Sequence, residues 1–382
     1  MYTIYLTTKC NFQCTYCYEN DLGNQELNKD NLEKTIRFIF NNCKEEKVNI
    51  SFMGGDPLLR KDLLIYTLNY IKKNYHSKKV QYFMTTNASL IDDELLDVFE
   101  KNNIKLRISF DGKKDTFLRN RISKNGIQYF EKICGILDEM KKREIEFTVR
   151  MTVVKNNVKE FCDNVLTLFE NEYNDVSIGF DVRNSFEENE ILIIQHGLEK
   201  INNYMIEQYK IGKLPAIDII NGKIVNRLCN FGNSFSMCSA GIETFKIMTD
   251  GNIYPCDFVA NDKKFLIGNI ADGIMDVTCS KKMVMDHFKI GSTPCDKCQI
   301  KGCCHAMKCG YWNYIKTGYV NIPAKDVCEI EKASYIFVTK FIQETYKIFP
   351  EMYKEICEYI VDNQLKLSKL GIKVFEYVNK NL

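Results

Sequence analysis

"TTKCNFQCTYCYE" spans residues 7–19 and sets Cys10, Cys14 and Cys17 in a C-x3-C-x2-C spacing. It lies just behind the first apolar run of the chain, "YTIYLTT" (2–8). Closed zinc and iron–sulfur sites take four protein ligands, and here no fourth thiol is near. Two readings stay open. Three thiolates can hold three irons of a [4Fe–4S] cluster and leave the fourth iron without a protein ligand, the kind of open position at which metals do chemistry. Alternatively, the three belong to a structural zinc knuckle completed by a distant residue.

The rest of the chain bounds the problem. Its 382 residues are 45% hydrophobic and 27% charged, ordinary for a globular protein of two or three domains. A net charge of +2 gives no bulk electrostatic case for nucleic acid or an anionic membrane. No apolar run reaches the ~18 residues of a membrane span, and no charged leader precedes an apolar block. The 17 cysteines are odd in number and clustered, which points to metal binding in a reducing cytoplasm rather than to a secreted disulfide scaffold.

Outward from the cysteine loop, short apolar strands alternate with amphipathic helices. The strand candidates are 2–8, 48–54, 80–86, 104–110, 146–154 and 175–182; 29–44 and 93–103 are helical patterns between them. Such alternation predicts an α/β fold with a parallel sheet. Six units fit a partial (β/α)6 TIM-type barrel over 1–185, with chemistry at the C-terminal strand ends. A helical linker follows over 186–228, led by a long helix at 187–212. A Cys-rich domain is expected over 229–330 and C-terminal helices over 331–382. The Cys-rich stretch has short strands and Gly turns and is expected to be held together by metal. Cys43, Cys134, Cys162 and Cys357 fall in helical patterns and read as small buried apolar residues; Cys279 fits no motif.

"CNFQCTYCYE" resembles the cysteine loop of the radical S-adenosylmethionine (SAM) enzymes. In that family SAM chelates the unique iron, and one electron from the cluster releases a 5′-deoxyadenosyl radical that abstracts hydrogen. Other segments resemble the same family. "GGDP", Gly54, Gly55, Asp56 and Pro57, looks like its SAM-amino motif, with Asp56 where Glu is commoner; glycine permits close backbone approach and the carboxylate accepts from an ammonium. "TTN" (85–87) brings Asn87 to the end of strand three. "SFDG" (109–112) offers Ser109 and Asp111 to the ribose. Arg121, ten residues past Asp111, has the spacing of the family's arginine for the SAM carboxylate, and Tyr16 would meet the adenine. Taken singly, Asp111–Gly112 is also a turn signal and Arg121 also a surface charge.

The second cysteine field resembles the SPASM extension of radical SAM enzymes that modify peptides and proteins. Cys238 is followed by twelve residues, Gly251, four residues and Cys256; then come Cys295, Cys298, Cys304, Cys309 and Cys328. The resemblance implies two auxiliary [4Fe–4S] clusters. Cys238, Cys256 and Cys309 would hold the first, with Cys229 as a candidate fourth ligand and otherwise an open iron. Cys295, Cys298, Cys304 and Cys328 would hold the second, with Cys303 a rival for Cys304. The alternative is a zinc ribbon using Cys295, Cys298, His305 and Cys309.

Two reactions fit this scaffold. Residues 309–333 resemble the end of the SPASM region in maturases of Cys-rich precursor peptides, which implies thioether or related cross-links on a ribosomally made, Cys-containing peptide. "DGNIYPCDF" (250–258) resembles the anaerobic sulfatase-maturating enzymes, which oxidise a Cys or Ser to formylglycine and use the Asp after the cysteine as general base. Asp257 inherits that role in either chemistry; its structural alternative is a turn carboxylate. A flavodoxin or ferredoxin is the electron donor the family implies. Leader recognition would fall to a separate protein or to the C-terminal helices.

Overall fold

In this computed structural model the described residues are 1–19, 22–229, 238–260, 262–274, 289–307 and 309–362. Tyr2–Thr7 (β1) is buried at every position, as a strand covered on both faces must be. Phe12–Cys14 (β2) follows, then Lys29–Asn42 (α1), whose Asn28 cap accepts the Asn31 N–H at 2.8 Å and satisfies one of the free helix-start donors. The alternation continues through Lys47–Gly54 (β3), Lys61–Asn74 (α2), Lys79–Thr86 (β4), Asp93–Lys101 (α3), Lys105–Ser109 (β5) and Lys114–Asn120 (α4). After Arg121–Ser123 (β6) come Phe130–Lys142 (α5), Phe147–Val153 (β7), Phe161–Glu170 (α6), Asp175–Phe180 (β8) and Glu188–Lys210 (α7). All six expected strands and the long helix form.

The chain divides into two compact units, Met1–Met151 with Ser239–Lys289, and Thr152–Cys238 with Ile290–Leu382. In the first, β1, β3, β4, β5 and β7 are parallel neighbours in that order. Helical crossovers allow this pairing and put the C-terminal strand ends on one edge. Five short strands also figure in the two units: Ala216–Ile217 (β9), parallel to β8 in the second, and Phe245–Ile247 (β10), Asn252–Tyr254 (β11), Gly268–Asn269 (β12) and Gly273–Ile274 (β13) in the first. β10 pairs parallel with the free side of β1, and β11 to β13 continue antiparallel from it. The turn between β10 and β11 needs Gly251, whose φ is +85° and whose absent Cβ would lie 2.8 Å from Ile270. Short strands were expected in this stretch. Their union with β1 was not, because a long-range pairing leaves no periodic trace in either segment.

In the second unit, Ile224–Cys229 (α8), Gly310–Thr317 (α9), Lys325–Tyr346 (α10) and Pro350–Asp362 (α11) are helical; α10 and α11 are the expected C-terminal helices. α7 buries Ile194, Leu198, Ile201 and Met205 along one face, and its Tyr209 meets Phe341 of α10 edge-on with ring centroids 5.1 Å apart. Asp326 accepts the Phe186 N–H at 3.1 Å and pairs with Lys316 at 3.0 Å. Cys43, Cys134 and Cys162 are half-buried rather than enclosed, because each sits at a helix flank or end; the Cys357 side chain and Cys279 lie outside the described residues. Among the described residues no helix is long and apolar enough to cross a membrane.

Phe341 is fully buried. Phe341→Ala removes its ring contact with Tyr209 and opens a cavity, so the protein is expected to lose about 3–5 kcal/mol, read as a lowered midpoint in chemical denaturation with an unchanged slope.

Candidate cofactor and metal site

The cysteine loop is positioned by backbone contacts. Gly55 N–H donates to Thr7 O at 3.1 Å and Asp56 N–H to Lys9 O at 2.9 Å. A Cβ on Gly54, whose φ is +131°, would stand 1.8 Å from Thr7 O, and one on Gly55 would stand 2.2 Å from Lys9 O. Only glycine allows β3 to end this close to the loop. On the other side, β2 pairs antiparallel with β6 and sets Cys14 opposite Arg121, while Thr15 N–H donates to Asn120 O at 2.9 Å. The loop is therefore clamped from both flanks.

Within it the three thiols feel one another. Burial pushes Cys14 up to about 12, with Arg121 opposing and Asp111, Cys17 and Cys10 adding. Burial likewise pushes Cys10 up to about 11, against the Phe12 N–H that donates to its sulfur at 3.4 Å. Thiols so disfavoured as anions suit a site where bound iron supplies the compensating positive charge. Three converging sulfurs beside an arginine fit the [4Fe–4S] reading of the loop. Among the described residues no three His, Cys, Asp or Glu side chains close around a single-ion position.

The other expected residues of the first unit gather at the same strand ends. Asp56 is buried; its Oδ1 accepts Leu58 N–H at 2.9 Å and its Oδ2 accepts Thr86 Oγ1 at 2.9 Å and Asn87 N–H at 2.8 Å. Burial raises its pKa to about 6, and these three donors pull the other way. Asp111 and Arg121 form a buried two-point pair at 3.0 and 3.1 Å, and Tyr16 O–H donates to Asp111 at 2.7 Å with the guanidinium 5.4 Å from its ring centre. Ser109 ends β5 in register with Arg150.

Asp257 belongs to this unit as well. Its Oδ2 is 2.8 Å from Lys246 Nζ, which also donates to Thr3 Oγ1 at 3.2 Å. Its Oδ1 accepts from the Tyr5 hydroxyl at 2.9 Å, and the same hydroxyl lies 2.8 Å from Glu19 Oε1. One phenolic hydrogen cannot serve two carboxylates at once. In keeping with this, burial, with Asp257 adding, pushes Glu19 up to about 8. Tyr5, Glu19 and Lys246 were not singled out from the sequence. Glu19 ends the quoted stretch, but nothing local shows that its partners come from β1 and from the second cysteine field.

The second unit holds its own thiols. Burial raises the Cys295 pKa, with Cys328 and Cys298 adding to it, so these three lie together. Cys304 is buried with Ala306, Met307 and Val327, and Cys295 packs against that group; burial pushes the Cys304 thiol up to about 12. The rival Cys303 aims its thiol at Ile300 O, 3.4 Å away. Burial pushes Cys309 up to about 11, with Cys238 among the contributing charges. Cys256 lies in the first unit, one residue before Asp257; the Cys229 side chain lies outside the described residues.

Comparison with known proteins agrees with this picture. Residues 4–168 match the radical SAM superfamily and residues 238–319 match SPASM, an iron–sulfur cluster-binding domain. The chain is 25% identical over 311 residues to a cysteine-type anaerobic sulfatase-maturating enzyme of Clostridium perfringens, covering 76% of this chain and 83% of that protein. It is 24% identical over 375 residues to the radical SAM cyclopropyl synthase TigE of Paramaledivibacter caminithermalis, covering 90% of this chain and 74% of that one. Among solved structures, anSMEcpe with bound AdoMet and Kp18Cys peptide superposes with a TM-score of 0.77 at 21% identity, covering 91% of this chain and 99% of that one. Streptococcus suis SuiB bound to precursor peptide SuiA gives 0.60 at 15% identity, covering 86% and 75%.

Gly55→Ala drives a methyl group into the Lys9 carbonyl. The variant is expected to fold its second unit but to lose most cluster-derived absorbance near 400 nm (an approximate position for thiolate-to-iron charge transfer) and a matching share of iron after anaerobic reconstitution. Wild-type iron content would show that the close approach is dispensable.

Proposed function

Starting from a chain that belongs to the radical SAM superfamily and carries an iron–sulfur SPASM domain, we propose that this enzyme modifies a ribosomally made, cysteine-containing peptide. When bound, the cluster and SAM supply a carbon radical able to take hydrogen from an unactivated carbon. Cys10, Cys14 and Cys17 hold that cluster. Gly54, Gly55, Asp56 and Ser109 line the SAM side of the strand ends, with Tyr16 toward the adenine and Arg121 and Asp111 fixing the polar end. The SPASM resemblance assigns Cys238, Cys256 and Cys309 to a first auxiliary cluster whose fourth position is either Cys229 or open. Cys295, Cys298, Cys304 and Cys328 hold the second, and the packing of Cys295 with the Cys304 group favours Cys304 over Cys303.

The observation that carries the reading is Asp257. It is held at two oxygens, by Lys246 and by Tyr5, in the unit that carries the three-cysteine loop. This fixed carboxylate is the group we propose accepts the proton of a substrate thiol. Support for a peptide substrate comes from the relatives. One is named for cysteine-type sulfatase maturation, and two solved structures of this fold hold peptides, Kp18Cys and SuiA.

The product we propose is a carbon–sulfur cross-link, in line with the likeness of residues 309–333 to maturases of Cys-rich peptides. Formylglycine formation is the second reading, favoured by the long match to the sulfatase-maturating relatives and by "DGNIYPCDF". Electrons would come from a flavodoxin or ferredoxin.

Anaerobic co-expression with a Cys-containing peptide encoded beside the gene, followed by mass spectrometry, separates these. Loss of two hydrogen atoms per cross-link, with blocked thiols, supports the first. Replacement of the cysteine sulfur by oxygen together with loss of two hydrogen atoms, leaving an aldehyde, supports the second. An unmodified peptide together with an unmodified sulfatase peptide overturns both. In the productive pairing, Asp257→Asn is expected to keep 5′-deoxyadenosine formation while product falls about 10²-fold or more; undiminished product removes Asp257 from the reaction.

A further inference from the structure

Asn87 was expected from the sequence to touch SAM, yet its side chain is fully engaged by the protein. A primary amide offers two N–H hydrogens and two acceptor positions on its oxygen. Oδ1 accepts the Ser89 N–H at 3.0 Å and the Ser89 hydroxyl at 2.6 Å. Nδ2 donates to Asn11 Oδ1 at 2.9 Å and to Cys10 Sγ at 3.8 Å. Asn11 Nδ2 then donates to Ser89 Oγ at 2.8 Å, which closes a three-membered ring in which every donor points the same way round.

This ring settles which end of the amide faces the sulfur. The Ser89 backbone N–H can only donate, so the amide oxygen must face it, and the NH2 group must face Cys10 and Asn11. The turn is held from outside as well. Asn87 N–H donates to Asp56, Lys132 Nζ donates to Ser89 O at 2.7 Å, and Ala88 sits in the left-handed region at φ +62°. A left-handed alanine costs about 1 kcal/mol, so the turn persists because these contacts fix it. Asn87 and Ser89 are both buried.

We infer that Asn87 is a positioning residue for the SAM-binding cluster: its amide N–H, aimed by the Asn11–Ser89 ring at Cys10 Sγ, raises the reduction potential of that cluster. The reduced cluster carries one more negative charge, part of it on the cysteine sulfurs. A donor to sulfur therefore favours the reduced state, as hydrogen bonds to cluster sulfurs do generally. The inference rests on the three-cysteine loop and SAM chemistry alone and is independent of which peptide is modified.

The test is EPR-monitored potentiometry of the reconstituted full-length protein, following the [4Fe–4S]⁺ signal that changes on SAM addition, with the midpoint read in SAM's absence. Asn87→Asp keeps the shape and the Ser89 acceptor but removes the donor; Asn87→Ala removes both; Asn11→Ala breaks the ring and leaves the donor. Both Asn87 variants are expected to move the midpoint to more negative potential, Asn11→Ala by clearly less, with SAM affinity within about twofold of wild type, a small change on the scale of RT ln 10. An unmoved midpoint in both Asn87 variants overturns the inference. So does a tenfold loss of SAM affinity at unchanged potential, which would make Asn87 a SAM contact. A folded Asn87→Asp protein that cannot hold iron also overturns it, in favour of a purely structural part.

Discussion

Two backbone hydrogen bonds, Gly55 N–H to Thr7 O and Asp56 N–H to Lys9 O, hold the three-cysteine loop against the end of β3, and the rest of the site depends on them. They require two consecutive residues without side chains, since a Cβ on either glycine would overlap the Thr7 or Lys9 carbonyl. Once the loop is tied there, Asp56 follows as a buried hub. It takes the Thr86 hydroxyl and the Asn87 N–H from the next strand, so the ends of β1, β3 and β4 form one rigid piece. Asn87 then reaches Cys10, and β2 meets β6 so that Cys14 faces Arg121. A loop of three cysteines becomes a shaped site because its flanking backbone is fixed before any side chain is considered.

Much of this was legible in the sequence. Short apolar runs alternating with helical patterns located all six strands, because each strand buries at least one face: β1 is buried throughout, while β4 and β7 alternate buried with half-buried positions. The cysteine spacing, "GGDP" and the turn after β5 were legible because each places special residues at a strand end. What stayed hidden was the reason for some of them. The glycines serve the approach of two backbones. Asp111 and Arg121 are bound to each other, and the nine residues between them include α4. Glu19, Tyr5, Lys246, Asn11 and Ser89 gave no signal, since a hydrogen-bond partner far along the chain leaves no mark in local pattern. The Cys229 side chain and Cys279 lie outside the described residues.

Buried charge is spent heavily here, and each instance is compensated. Asp111 has a guanidinium and a phenol, Asp56 has three donors, and the half-buried Asp257 has an ammonium and a phenol. Apolar side chains of similar volume would be at least as stable in such places. Their concentration at the strand ends of one unit is what a site of chemistry looks like when stability alone does not explain it.

The placement of Asp257 follows from strand register. Parallel pairing of β10 with β1 sets Lys246 opposite Thr3, so the two side chains leave the sheet on the same face. Tyr5, two residues after Thr3, projects from that face too. Thr3, Tyr5 and Lys246 thus form a polar strip on one face, with Ser51 of β3 opposite Thr3, and Asp257, arriving just past β11, completes it with Glu19 from the cysteine loop. A slip of one residue between β10 and β1 would carry Lys246 to the opposite face and leave the Asp257 carboxylate without its cation. The short strand of the second cysteine field is therefore more than an edge to the sheet. Its register decides whether the candidate base keeps its Lys246 partner in the unit where the cysteine loop sits.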